Sequence, residues 1–138
     1  MRMDYVEAVL DLVALIPEGA VLAYGDVADL LGSGGARQVG SAMSRHGSAV
    51  PWWRVLKASG EAPPGHGREA LALFLLEDTP LVGDYADYLR TGEGRWRVDM
   101  TAARWAPSAY EFDRIDAIAG GLDRSLPKLS APDDEMTV

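Results

Sequence analysis

The sequence predicts a mainly α-helical fold with a small β element, built around a helix-turn-helix. Apolar residues recur at helical spacing in three successive segments of the first third of the chain, which predicts three helices. A glycine-rich run, Gly32-Ser33-Gly34-Gly35, separates the second segment from the third and predicts the turn. The length of 138 residues fits one domain, because a chain of this size supports one sizeable core.

The first helix is predicted over about residues 4–16. Asp4 is a capping residue followed three positions later by Glu7, and Pro17 marks the end of the helix. The apolar residues at helical spacing are Val6, Val9, Leu10, Val13 and Ile16. This stripe is expected to face the core.

The second helix is predicted at about residues 25–31, after a short apolar step at 21–23, and the third at about 36–45. Helix, glycine turn and helix form the outline of a helix-turn-helix, a motif that presents its second helix to DNA. The turn lacks the Gly-Lys-Ser/Thr ending of a phosphate-binding loop, so a nucleotide site is disfavoured.

The third helix is predicted to have two unlike faces, since successive residues turn by about 100°. The inner side carries Val39, Ala42 and Met43, and the outer side carries Arg37, Gly40, Ser41 and Ser44. Short side chains let another backbone approach closely, and an arginine at the start of such a face can reach into a groove or between bases. The alternative is a solvated face that carries short residues by chance.

Two adjacent tryptophans, Trp52 and Trp53, follow Pro51. We interpret this segment as extended, so that neighbouring side chains point to opposite sides and cannot both fill one core pocket. One ring is therefore expected to face a cavity or solvent. The alternative is that the two rings cover the two sides of a small sheet.

The rest of the chain is predicted to hold a helix at 68–77 and an edge strand at 96–100. The apolar face of this helix consists of Leu71, Phe74 and Leu75. We expect residues 1–106 to form the domain and residues 107–138 to form a partly disordered C-terminal extension that begins with a short helix.

The composition excludes several kinds of site. The chain has no cysteine, which removes disulfides, thiolate nucleophiles and cysteine metal sites. The chain has two histidines, His46 and His66, which are few for a histidine metal site or a catalytic triad. We therefore expect no catalytic residue, no metal and no cofactor.

The net charge of −8 argues against a nucleic-acid partner, because affinity for phosphates comes from clustered Lys and Arg. The acidity lies mostly in the second half: residues 1–76 carry six basic and eight acidic side chains, and residues 77–138 carry seven and thirteen. The first 76 residues stay compatible with DNA. Without a secretion signal or an apolar run of ~18 residues, a cytoplasmic protein with no membrane partner is expected.

Three segments carry a family pattern: Val21–Ala28 (VLAYGDVA), Ala36–Met43 (ARQVGSAM) and Val50–Val55 (VPWWRV). With the segment from Trp96 to Trp105, they resemble the alkyltransferase-like proteins, the cysteine-lacking relatives of the O6-alkylguanine DNA alkyltransferases, over about residues 3–106. The third segment reads Pro-Cys-His-Arg-Val in the alkyltransferases, and Trp52 stands here at the cysteine position.

The resemblance implies a winged-helix-like helix-turn-helix, as in the C-terminal domain of the alkyltransferases, that binds the minor groove of double-stranded DNA and rotates O6-alkylguanine into a pocket. It implies that Arg37 fills the gap in the base stack, that Tyr24 crowds the phosphate, and that Trp52 walls the pocket. The residues expected to bind DNA are Tyr24, Arg37, Gly40, Ser41 and Ser44, and those expected to line the lesion pocket are Tyr24, Val50, Pro51, Trp52 and Arg54.

Two regions depart from the family pattern. Trp53 replaces the usual histidine, which helps to activate the thiol in the alkyltransferases, and this agrees with an absence of transfer chemistry. The loop at 61–67, where relatives supply part of the pocket, is short. His66 or Arg68 could contact the lesion from this loop.

The resemblance implies a monomer without enzymatic activity that recognises damage and marks it for nucleotide excision repair proteins. The alternative is a helix-turn-helix regulator that reads a defined sequence without base flipping, although the outer face of the third helix lacks the Asn, Gln and several Arg typical of major-groove readout. A hydrolase using Asp or Glu with His66 is disfavoured, because the carboxylate pairs have ordinary spacing for a helix surface.

Overall fold

The computed structural model describes residues 4–122, which divide into two compact units. Among these residues, the first unit comprises 4–15, 24–52 and 107–122, and the second comprises 16–23 and 53–106. The helices are α1 (Tyr5–Val13), α2 (Tyr24–Leu31), α3 (Ala36–His46), α4 (Gly67–Leu76), α5 (Tyr85–Thr91), α6 (Met100–Ala103) and α7 (Ala109–Gly120). The strands are β1 (Leu22–Ala23), β2 (Val55–Leu56), β3 (Leu81–Gly83) and β4 (Trp96–Val98). The predicted fold class, mainly helical with a small β element, is confirmed.

The capping box predicted at the start of α1 is present. The Asp4 carboxylate accepts from the Glu7 backbone N–H at 2.8 Å, and the Glu7 carboxylate accepts from the Asp4 N–H at 3.2 Å. The helix ends at Val13, three residues before the predicted end, because the Leu15 N–H turns back to the Leu12 carbonyl at 3.0 Å. Ile16 is buried as expected although it lies beyond the helix.

The first unit is helical in the residues described. Helices α1, α2 and α3 pack against one another, and α7 packs against α1 and α2. The buried apolar side chains are Ala8, Val9, Leu12, Val13, Val27, Ala28, Leu31, Val39, Ala42, Met43, Ile115 and Leu122. Helix α7 confirms the predicted helix in the C-terminal segment. The expected disorder at the end of the C-terminal extension, residues 130–138, lies outside the described residues, and the domain boundary at 106 stays a prediction.

The second unit contains two small sheets. Strands β1 and β2 pair in parallel with Leu22 opposite Val55, and β3 and β4 pair antiparallel with Val82 opposite Arg97. The largest fully buried side chains of this unit are Phe74, Ile16, Leu56, Leu71 and Val21. They form the apolar centre on which the strands and α4 depend.

The predicted strand at 96–100 is confirmed over β4 but ends earlier. The Asp99 carboxylate accepts from the Ala102 N–H at 3.2 Å, which caps α6 and places Met100 in a helix. Strand β3 and helix α5 were not predicted. Both are short and stand next to glycines, so neither shows a sustained apolar period.

Candidate nucleic-acid interface

The turn between α2 and α3 is fixed by a tyrosine of α1. The Tyr5 hydroxyl donates to the Ser33 carbonyl at 2.9 Å, and burial raises the pKa of Tyr5 to about 12, so the hydroxyl stays a neutral donor at pH 7. Gly34 has φ +75°, and a Cβ there would lie 2.2 Å from the Tyr5 Oη. A residue with a side chain would here combine a strained backbone with a clash against Tyr5, which explains glycine at this position of the turn.

Helix α3 begins directly after this turn. The Gln38 side chain accepts from the Gly35 N–H at 3.0 Å, which satisfies a backbone donor at the start of the helix. The predicted core face is confirmed, since Val39 is fully buried and Ala42 and Met43 are nearly so. The helix is thereby anchored along one side.

The opposite side of α3 is bare. Arg37, Ser41 and Ser44 are exposed, and Gly40 has open space where a Cβ would stand. Within residues 4–122 the Arg37 side chain forms no hydrogen bond or ion pair, so its charge is available to a ligand. We call Arg37, Gly40, Ser41 and Ser44 the bare face.

Tyr24 is the first residue of α2, which packs against α3 within the same unit. Its side chain is half-buried, and burial raises the pKa of the Tyr24 phenol above its ordinary value. The hydroxyl therefore keeps its proton at neutral pH and can donate a hydrogen bond to an acceptor such as a phosphate oxygen.

The tryptophan segment is not extended, and this prediction was wrong. Trp52, Trp53 and Arg54 form one 3-10 turn, so the alternation of strand side chains does not apply to them. All three are half-buried, as are Val50 and Pro51. We call Trp52–Arg54 the tryptophan turn.

Within the second unit, Glu77 binds two residues of the tryptophan turn. Its carboxylate accepts from the Trp53 indole Nε1 at 3.0 Å and from Arg54 through both Nε, at 3.1 Å, and Nη2. Burial alone raises the pKa of Glu77, but the hydrogen bonds and charge of Arg54, with hydrogen bonds from Gly19 and Trp53, outweigh it, so the pKa lies below its ordinary value. Glu77 is therefore a carboxylate at neutral pH.

Sequence reasoning missed Glu77. It lies at the end of α4, more than twenty positions from the turn that it binds. No local period or motif links a carboxylate at a helix end to a distant Trp-Arg pair. The fold brings them together.

His66 and Arg68 are both exposed. Nδ1 of His66 lies 3.8 Å from the Glu69 carboxylate, and the Arg68 guanidinium lies over the Tyr88 ring at 5.5 Å. Arg68 also donates to the Leu89 carbonyl at 3.3 Å. These bonds hold Arg68 against α5, the helix that the sequence did not predict.

The candidate residues fall into the two units as follows. The first unit holds Tyr24, Arg37, Gly40, Ser41, Ser44, Val50, Pro51 and Trp52, and the second holds Arg54, His66 and Arg68. In the first unit, the described residues include three arginines and eight carboxylates. The described residues of the first unit thus carry more acidic than basic side chains, which disfavours binding of a polyanion by charge alone.

No group of three or more His, Asp or Glu side chains that could hold a metal occurs in the described part of the chain. In the same residues, no helix has both the length and the apolar character needed to cross a bilayer.

Residues 4–78 match the family model described as 6-O-methylguanine DNA methyltransferase, DNA binding domain. A DNA base-flipping protein of Escherichia coli strain K12 is 49% identical over 60 residues, which cover 41% of this chain and 46% of that relative. The match therefore spans about half the length of that protein. Alkyltransferase-like protein 1 of Schizosaccharomyces pombe is 32% identical over 111 residues, 78% of this chain and 100% of that protein.

Two solved structures have a similar fold. The S. pombe ATL in complex with DNA has a TM-score of 0.60 at 29% identity, and S. pombe Atl1 in complex with damaged DNA containing O6-carboxymethylguanine has a TM-score of 0.58 at 26% identity. Each comparison covers 78% of this chain and 100% of the other.

Proposed function

This chain belongs to the family of the 6-O-methylguanine DNA methyltransferase DNA-binding domain, and on that premise we propose that it recognises O6-alkylguanine in double-stranded DNA by base flipping, without repairing it. The resemblance inferred from three sequence motifs is confirmed by the family model and by the alkyltransferase-like relative. The relatives named for base flipping and for damaged DNA support the choice of ligand.

The observation that carries the proposal is the bare face of α3. A helix surface of glycine and serine lets a DNA backbone come close, whereas long side chains would hold it away. Arg37 stands at the start of this surface with its guanidinium exposed and unpaired among residues 4–122. A single cation on a smooth surface suits insertion into the gap left by a rotated base.

Base flipping costs free energy, and the residues of the site must offset that cost. Extruding a base costs a few kcal/mol, and less when the pair is already damaged. Arg37 in the vacated position restores part of the lost stacking, and Tyr24 donates to the phosphate of the rotated nucleotide. Stacking a base on an aromatic ring contributes about 1–3 kcal/mol, so Trp52 offsets much of the remainder.

We propose that Val50 and Pro51 line the apolar side of the lesion pocket together with Trp52. An apolar lining favours a guanine that carries an alkyl group over one that does not, because the added carbon is removed from water. Lesion selectivity then has two sources, the weaker parent base pair and the apolar pocket.

No alkyl transfer follows binding in this proposal. Transfer to the protein needs a soft nucleophile beside the alkyl carbon, and the chain contains no cysteine. Trp52, which the resemblance in the Val50–Val55 segment aligns with the reactive cysteine, has an indole that is no substitute for a thiolate. The bound lesion stays intact, so the complex acts as a marker that nucleotide excision repair proteins would read.

The test is the affinity for two duplexes that differ by one O6-methyl group, measured by fluorescence anisotropy. We expect tighter binding of the methylated duplex and loss of that preference in Arg37→Ala. Arg45→Ala is the matched control, because Arg45 is a second exposed arginine of α3 with no partner in the described chain. It should lower both affinities by a similar, smaller factor and keep the preference.

Equal affinity of the wild-type protein for both duplexes would contradict the proposal. Enrichment of one undamaged sequence from a random pool would favour the regulator that reads sequence without base flipping.

A further inference from the structure

The joint between α2 and α3 consists of Ser33 and Gly34, and α2 is closed before the chain reaches Gly34. The Gly32 N–H donates to the Asp29 carbonyl at 3.1 Å, and the Ser33 N–H donates to the Ala28 carbonyl at 3.3 Å. This pair of bonds is a common way for a helix to satisfy its last carbonyls at a glycine. The end of α2 therefore depends on its own backbone.

Helix α3 is closed by its own residues as well. The Gln38 side chain accepts from the Gly35 N–H, and the Val39 N–H donates to the Gly35 carbonyl at 3.1 Å. Neither helix end therefore prescribes the direction in which the other helix leaves. Gly34 lies between them at φ +75°, and a glycine backbone has many other allowed conformations. Contacts from outside the joint are needed to select this one.

One such contact comes from α1, and it reaches both residues of the joint. The Tyr5 hydroxyl donates to the Ser33 carbonyl at 2.9 Å. The edge of its ring lies against Gly34, since a Cβ there would stand 2.2 Å from Oη and 2.6 Å from Cζ. In the described part of the chain, no other side chain forms a hydrogen bond with these two residues. The phenol is thus the polar link between α1 and the joint.

The helix that carries Tyr5 is anchored at its start and along one side. The capping box of Asp4 and Glu7 closes the start of α1, and Val9 and Leu12 are fully buried. Helix α1 packs against both α2 and α3. The phenol is half-buried at the first position of this helix, so a well-anchored element carries the donor.

The bare face begins three residues after Gly34, at Arg37. Gly35 and Ala36 lead directly from the joint into the helix, so the conformation at Gly34 sets the direction in which α3 starts. We infer that Tyr5 is a positioning residue for lesion recognition: its hydroxyl holds the joint in the conformation that aims Arg37 for insertion into the base stack. All these residues lie in the first unit. The inference rests on the proposed function and deepens it.

Preorganisation is the physical gain. An arginine that already points in the binding direction loses less conformational freedom when it enters the duplex, so more of its interaction energy appears as affinity. Without the hydroxyl, the glycine joint samples other conformations. Arg37 then inserts only from the fraction of molecules whose joint is correctly set, and the affinity falls by that fraction. Undamaged duplex, into which Arg37 does not insert, should be affected less.

The test compares Tyr5→Phe, which removes the hydroxyl and keeps the ring, with Tyr110→Phe. Tyr110 is an exposed tyrosine of α7 in the same unit, and its hydroxyl accepts from Arg114 at 3.4 Å. We expect the affinity of Tyr5→Phe for the O6-methylguanine duplex to fall about fivefold, equivalent to about 1 kcal/mol and to one neutral hydrogen bond, with less than about a twofold change for undamaged duplex. Tyr110→Phe should retain both wild-type affinities in fluorescence anisotropy.

A double-mutant cycle separates positioning from a general effect on the fold. If Tyr5 acts through Arg37, Tyr5→Phe should change the affinity of Arg37→Ala protein for the damaged duplex by less than about twofold. A merely structural effect would lower that affinity by the same factor with and without Arg37.

A second readout follows the joint itself. In the amide NMR spectrum of Tyr5→Phe, the signals of Gly34, Gly35 and Ala36 should shift and broaden, because the joint has lost its polar link to α1. The same signals should stay in place in Tyr110→Phe. Unchanged signals in Tyr5→Phe would contradict the inference.

Wild-type affinity of folded Tyr5→Phe for the damaged duplex, or an equal loss with and without Arg37, would overturn the positioning role. Equal affinity of the wild-type protein for damaged and undamaged duplex is a different result, because it contradicts the proposed function from which this inference starts.

Discussion

The bare face of α3 and the Glu77 cluster differ in how their arginines are bonded. The Glu77 cluster is the Glu77 carboxylate with its donors Gly19, Trp53 and Arg54. Arg37 is exposed and makes no bond to the rest of the described chain, whereas Arg54 is half-buried and donates through three nitrogens to three oxygens, two of Glu77 and one of Ile16. A guanidinium without partners in the described chain is available to a ligand, whereas one bonded through all three nitrogens supports its neighbours. From the sequence, both arginines are predicted as ligand contacts. In the structure, Arg54 is bonded to other described residues and Arg37 is not.

The largest expected effect comes from removing the carboxylate that pairs with Arg54. Glu77→Ala leaves Arg54, whose side chain is 12% exposed, without its counterion, so we expect a loss of about 3–5 kcal/mol in the free energy of unfolding. Urea denaturation measures it. Asp87→Ala is the matched control, since the Arg90–Asp87 pair is exposed on both sides and such pairs add little. Similar losses in the two variants would show that burial does not strengthen the Glu77 cluster.

The second effect concerns the turn that orients the bare face. Gly34→Ala combines a left-handed backbone with a Cβ that meets the Tyr5 hydroxyl, so we expect a loss of about 1–3 kcal/mol. Thermal unfolding measures it. Gly65→Ala isolates the backbone part, because Gly65 has φ +83° with open space around the Cβ position, and it should cost less. An equal cost would remove the packing role given to Tyr5.

The third effect separates folding from binding on the bare face. Gly40→Ala meets no atom within 4 Å and replaces a helical glycine, so stability should rise by up to about 1 kcal/mol. DNA affinity should nevertheless fall, because in the proposed complex the added methyl group would stand between the helix and the DNA backbone. Gly120→Ala, at the end of α7 with equal space around it, should leave DNA affinity unchanged. Undiminished binding by Gly40→Ala would mean that DNA does not approach this face closely.

The smallest effect is a pH dependence. Because the pKa of Glu77 is lower in the folded protein than its ordinary value of 4.5, its stabilising contribution is present above that value and is lost as the pH falls through the folded pKa. Urea unfolding between pH 7 and pH 3 should show a smaller acid-induced loss of stability in Glu77→Gln than in wild type. Parallel profiles would indicate that other carboxylates dominate acid unfolding.

Much of the helical framework could be predicted because it depends on local sequence patterns. The capping pair Asp4 and Glu7, the glycine turn and the two faces of α3 each depend on residues within about one or two helical turns of each other. Their positions in the structure agree with the predicted helices to within a few residues.

The remainder depends on contacts between distant parts of the sequence. From the sequence, residues 52–54 are interpreted as extended, whereas they form a 3-10 turn in which Trp53 is bonded to the distant Glu77. Helix α5 is too short to show apolar residues recurring at helical spacing. It is fixed by the hydrogen bond from Arg68 to the Tyr88 carbonyl and by the Tyr88–Trp96 ring contact. Neither set of partners is visible in a local window.

The most direct test of the central claim is the state of the damaged base in the complex. A 2-aminopurine placed beside O6-methylguanine reports unstacking as a rise in its fluorescence. We expect wild-type protein to raise the emission of the damaged duplex and to leave the undamaged duplex unchanged, with no rise for Arg37→Ala at saturating protein. Saturated binding of the damaged duplex without a rise in emission would contradict base flipping.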